Sequence, residues 1–248
     1  MNRRRIVALV SFAILGSTGC TVTQQVADAQ FKPPSGQYRI IVMQPAISVG
    51  VLTAGGSVEP RQDWTDQARG HVLAALNAQQ INQGGDVTIA KTQSDAGGNA
   101  EEVADLVFLH NAVGGAIRTH KYGMLTLPTK KGRFDWTLGT DAVKFGQETN
   151  YDYALFLRAQ DSFSSGGRVA LQAVSLIGCA FGVCAMPQGG QQLAFASLVD
   201  LRTGQVVWFN VLNSSAGDIR TAEGAKKMVD GLLSTMKPGA SQKKAKKA

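Results

Sequence analysis

Reactive side chains are scarce in this sequence. Its 248 residues include three histidines and three cysteines, and aromatic residues make up 7%. No G-x-S-x-G elbow, phosphate loop or H-E-x-x-H motif occurs, which excludes the commonest nucleophile, nucleotide and zinc arrangements. His110 and His120 stand ten residues apart, about 15 Å along a helix and too far to share a metal ion. His71 has no histidine or cysteine at ligand spacing. His110 falls among apolar residues at helical spacing and reads as a core residue. Asp152 between two tyrosines reads as a strand-start acid, and Glu101 with Glu102 as helix-start acids. No catalytic residue and no metal ligand is therefore assigned. Paired carboxylates need no sequence signature, so a hydrolase acting on cell wall or polysaccharide stands as an alternative. No apolar run approaches the roughly 20 residues of a mature transmembrane helix.

The apolar stretch that is present lies at the start. Arg3, Arg4 and Arg5 precede the run Ile6 to Leu15, and the small residues Gly16 to Gly19 lead into Cys20. A positive region, a short apolar region and a small-residue exit are the layout of an export signal. With a cysteine directly after the small residues, the segment resembles a bacterial lipoprotein signal. That resemblance implies cleavage before Cys20 and a diacylglyceryl group on its thiol with an N-acyl chain, and no other cofactor. Thr21 stands where an aspartate would retain the protein in the inner membrane, which implies the outer membrane and its periplasmic face. Several acyl chains, at about 0.8 kcal/mol per buried CH2, anchor stably.

Without residues 1–19 the formal charge falls from +7 to +4, because three arginines go and no acid goes with them. Four lysines sit in the terminal SQKKAKKA, so the body is close to neutral, which argues against a nucleic-acid partner. Four segments follow: a signal over 1–19; the acylated cysteine and a tether over 20–37, ending in Pro33, Pro34 and Gly36; an α/β domain over 38–237, enough for one core; and a basic, disordered tail over 238–248. Such a tether would hold the domain off the membrane.

Hydrophobic periodicity orders the domain. YRIIVMQP reads as a buried strand stopped by Pro45, with a short strand at 47–52. DWTDQARGHVLAALNAQQ reads as a helix capped by Asp63, and DVTIAK as a strand. A helix opened by Asn99 carries Val103, Leu106, Val107, His110, Val113 and Ile117 on one side. A third helix is capped by Thr140 or Asp141, and YDYALFLRAQDSF alternates as a strand. QQLAFASLVDLRTGQVVWFNVLN reads as a hairpin and RTAEGAKKMVDGLLSTMK as the last helix. The expected fold is a mixed sheet with helices packed on it, antiparallel at the hairpin and parallel where helices intervene. RVALQAVSLIGCAFGVCAM stays ambiguous between a buried connector and a partner-facing patch; its lack of polar alternation argues against a membrane β-hairpin. Within it, Cys179 and Cys184 read either as a small-loop disulfide or as two buried thiols.

The hairpin carries a second resemblance. In LVDLRTGQVVWF, Asp200 can accept turn amides, Thr203-Gly204 form the turn, and Trp208 offers a large apolar body. This D-x-x-T-G-x-x-x-W pattern resembles that of periplasmic lipoproteins in the curli-secretion and penicillin-binding-protein-activator group, whose domain is similar to the amino-terminal domain of the Tol translocation protein. The resemblance implies a non-enzymatic, membrane-anchored lipoprotein that binds envelope proteins or its own copies. An oligomeric secretion accessory is the nearest alternative.

Overall fold

The computed structural model describes residues 21–26, 38–79, 86–123, 125–214, 217–234 and 236. Cys20, the signal and the basic tail lie outside the described residues.

An eight-stranded mixed sheet forms the centre. In chain order its strands are β1 (Thr21–Val26), β2 (Arg39–Val42), β3 (Ala46–Leu52), β4 (Val58–Pro60), β5 (Asp86–Ile89), β6 (Tyr153–Ser164), β7 (Gln192–Asp200) and β8 (Gln205–Ser214). The order across the sheet is β1-β8-β7-β6-β2-β5. Pro45 separates β2 from β3, and the two lie end to end along one side of β6, both parallel to it. β4 closes beyond β3. The β6–β7–β8–β1 half is antiparallel. Crossover helices account for the parallel half, since a parallel partner cannot be reached by a short turn.

Both sheet faces are covered, which explains the near-continuous apolar runs in the central strands. On one face Ile40, Val42, Tyr153, Leu155, Leu157 and Trp208 meet helices α1 (Gln62–Ala78) and α5 (Ala222–Leu233). On the other, Ile41, Met43, Phe156, Phe195 and Phe209 meet α2 (Ala100–Ile117) and α3 (Gly139–Thr149). In β8 a bulge leaves Val207 between the pairs Leu198–Trp208 and Val199–Val206. The extra residue lets Val206 and Trp208 face opposite layers, which unbroken alternation would forbid.

Several local expectations shift. α1 begins at Gln62, so Asp63 lies in its first turn and pairs with Arg61 at 2.9 Å instead of capping. α3 begins at Gly139 with Leu138 at its N-cap position and no side-chain cap. Asn99 does cap α2, accepting the Glu101 amide. Within the stretch read as a tether, Thr21–Val26 is the outermost strand of the sheet, paired along β8 from Ser214 to Phe209. Its Thr-Val-Thr opening is β-branched, which suits a strand. Residues 166–180 of the ambiguous segment form helix α4 (Gly166–Ala180).

Candidate functional site

Helix α4 lies at one end of the sheet, where β3 and β6 finish and β7 begins. Ser165 caps it by accepting the Arg168 amide. Arg168 reaches the carbonyls of Gln188 at 3.0 Å and Ala54 at 3.1 Å, and Gln172 donates to the Pro187 carbonyl. The half-buried positions of α4 are Arg168, Gln172, Ser175, Gly178 and Cys179, one stripe at helical spacing. Its apolar residues point the other way. Val169, Leu171, Val174, Leu176 and Ile177, and then Phe181, Val183 and Met186 in the following turn, are between 42% (Leu171) and 83% (Phe181) exposed. No α4 side chain is buried. The polarity of an ordinary surface helix is thus reversed: polar groups hold the helix to its own chain and the apolar stripe faces outward.

The chemistry of the stretch keeps that surface uninterrupted, because no charged residue occurs between Arg168 and Asp200. Cys179 is bonded to Cys184 with Cα atoms 4.1 Å apart. Within the turn closed by this bond the amides of Phe181 and Val183 donate to the Gly178 carbonyl, and that of Gly182 to the Cys179 carbonyl. Exposed apolar side chains gathered on one helix and its turn make this surface the candidate interaction site.

Beside the base of α4 lies an open pocket of ≈ 150 Å³ lined by Asp161, Ser162, Phe163, Ser164, Gly190, Gln192 and Gly217. Asp161 Oδ2 accepts the Ile219 amide at 3.2 Å and the Gln192 amide group at 3.3 Å. Burial pushes its carboxyl up to about 7, against the pull of those two donors. The nearest second acid, Asp218, is paired with Arg220 at 2.9 Å and held below its ordinary value by that hydrogen bond. Arg220 in turn lies over the rings of Phe163 and Trp64, at 3.5 and 4.4 Å. The arrangement ties the β6 end to α1 and to the entry of α5. It offers no free acid–base pair.

The hairpin residues gather at the opposite end of the sheet. Asp200 Oδ1 accepts the Arg202 amide, and both its oxygens take the Arg202 guanidinium, at 3.1 and 2.7 Å. Arg202 also reaches the Tyr153 hydroxyl. Gly204 has φ +72°, its amide donates to the Asp200 carbonyl, and its carbonyl accepts from Leu138 and Thr137. Thr203 Oγ1 accepts the Gln205 amide. Trp208 is buried in the layer under α1 and α5. Asp200, Thr203 and Gly204 therefore build a turn that the Gly204 carbonyl ties to the chain entering α3, while Trp208 packs into the core. About nine strand residues, roughly 30 Å, separate them from α4.

His110 is buried, stacked on Phe156 at 4.5 Å, and desolvation pushes it down to about 3. Asp152 accepts the Arg39 amide, a strand-start role. Among the described residues no group of three or more His, Cys, Asp or Glu could hold a metal ion, and no helix is long and apolar enough to cross a membrane.

No known family profile matches the chain, and no curated protein matches it. Among solved structures, a PelC dodecamer from Paraburkholderia phytofirmans aligns with 87% of this chain and 96% of its own at 15% identity, with a TM-score of 0.39. A point variant of the same dodecamer aligns over the same shares at 16% identity and a TM-score of 0.37.

Proposed function

We propose that this protein is a non-enzymatic lipoprotein of the cell envelope, anchored through acylated Cys20 at the periplasmic face of the outer membrane and working by attachment to other envelope components. The observation that carries the reading is the reversed polarity of α4, which makes that helix a docking element. The lipoprotein-like signal and the hairpin shared with the curli-secretion and activator group support the location.

Mass spectrometry of the protein from cells tests the anchor, the expected result being an amino terminus at Cys20 carrying acyl chains. Photo-crosslinking from α4 in intact cells tests the docking role. Adducts at α4, with none from an exposed position on α1 such as Asn77, are expected. An uncut, unacylated amino end, or an α4 that captures nothing, refutes the reading. Turnover of a wall-polymer panel, lost on substitution of Asp161, would favour a hydrolase instead.

A further inference from the structure

We infer that the surface on which α4 docks is the lipid bilayer itself, with the apolar stripe of the helix and the 181–186 turn seated in the boundary between headgroups and acyl chains. This rests on the proposed lipid anchor and on α4 as a docking element.

Placement in the sheet carries the argument. Thr21 lies opposite Ser214 in β8, Ser214 opposite Gln192 in β7, and Gln192 opposite Asp161 in β6. The residue joined to Cys20 by one peptide bond therefore stands in the same transverse row as Asp161, three residues before the end of β6 at Ser164, and α4 begins at Gly166 just beyond. Three strand spacings, about 14 Å, separate β1 from β6. One residue of chain reaches at most about 3.6 Å. An acyl chain on Cys20 thus draws this end of the sheet against the membrane, and α4 with its turn is what the domain presents there.

The surface suits that occupant. Leu176, Ile177, Phe181 and Val183 face outward, and the uncharged run extends from Val169 to Val199, so that stretch itself brings no ion into the boundary. The turn beyond α4 has its 181–183 amides bonded within itself, which lowers the cost of bringing that backbone to the headgroup boundary, where headgroups and water serve the remaining groups. At 15 residues the helix is about 22 Å long, short of the hydrocarbon thickness, so it lies along the interface and does not span it.

The test uses the full acylated chain in native outer-membrane vesicles, with a benzoyl-phenylalanine crosslinker in place of Ile177 and, separately, of Phe181. Phospholipid adducts at both positions support the inference. Adducts to another protein or to a second copy, on a chain shown to be acylated, overturn it while leaving the docking reading intact. Absence of any adduct overturns both. As a second measurement, the chain of residues 20–248 made without the signal and carrying Cys20→Ser should co-float with phosphatidylethanolamine–phosphatidylglycerol vesicles, and adding Leu176→Ser with Ile177→Ser should lower that partitioning at least about tenfold, because each exposed aliphatic side chain adds to transfer from water. Partitioning unchanged by the serines refutes the inference. Near-ultraviolet circular dichroism and the urea midpoint check that the serine variants are folded.

Discussion

Replacing Gly204 by alanine should destabilise the domain more than the same change at Gly132, and the comparison isolates one close approach. Both glycines have a left-handed backbone, φ +72° and +78°. An alanine in that conformation costs about 1–2 kcal/mol wherever it occurs. At Gly132 an added Cβ meets nothing within 4 Å, so that cost is the whole effect. At Gly204 the Cβ would intrude on the Gly139 carbonyl oxygen and backbone, where both chains are fixed by the bonds from Leu138 and Thr137 to the Gly204 carbonyl. Overpacking of this kind adds about 1–3 kcal/mol. Gly204→Ala should therefore lose about 2–5 kcal/mol and Gly132→Ala about 1–2 kcal/mol. At about 2–4 °C per kcal/mol for a domain of this size, the two melting temperatures should differ by several degrees. Urea titration, with the slope checked for constancy, measures both. Equal losses would refute the reading of the hairpin as a turn locked onto α3.

Asp161 sets a pH dependence of definite sign. Its carboxyl titrates at about 7 in the folded protein against 3.8 ordinarily, so between those values the unfolded chain has released a proton that the native state keeps, and stability falls as pH rises from about 4 to about 7. Each pH unit of that span is worth about 1.4 kcal/mol, a ceiling of about 4 kcal/mol; Asp161→Asn should abolish the slope and raise stability at pH 7.5. His110, held near 3 against 6.5, slopes the opposite way, losing stability as pH falls below about 6.5, and the asparagine variant should expose that limb in urea midpoints taken from pH 4 to 8. Trp208→Ala should cost about 3–5 kcal/mol, and a loss under about 1 kcal/mol would remove the residue from the core. Serine at both Cys179 and Cys184 should leave the global midpoint unchanged, since α4 buries no side chain, yet speed amide exchange over residues 178–184 about 30-fold, the equivalent of about 2 kcal/mol for a small closed loop.

Periodicity was enough to read the mixed sheet, the hairpin and four helices. The stripe Val103, Leu106, His110 and Ile117 is buried as its spacing implies, and Met228, Val229, Leu232 and Leu233 are likewise internal. One element stayed ambiguous, α4, and one escaped, β1, each for a physical reason. α4 has a genuine helical stripe, but the usual rule sends apolar residues inward, and here the stripe faces out; the clue lay in the 31 residues from Val169 to Val199 without a charge. β1 is six residues of polar and β-branched character next to a proline-rich stretch, and its pairing with β8, far along the chain, leaves no local signal. The Asp161 pocket was invisible because its parts come from β6, β7 and the segment before α5. The signature hairpin, by contrast, was conspicuous in sequence because a left-handed glycine, a chelating aspartate and a buried tryptophan are each demanded by local geometry.

The pairing of β1 with β8 also bears on how the protein is produced. A version trimmed to begin at Ala27, made to escape acylation, would uncover the β8 backbone from Phe209 to Ser214 as a free edge of unpaired donors and acceptors. Such edges recruit strands from other molecules. Oligomers seen only with trimmed material would then report the missing strand, and the native association state belongs to chains that keep Thr21–Val26.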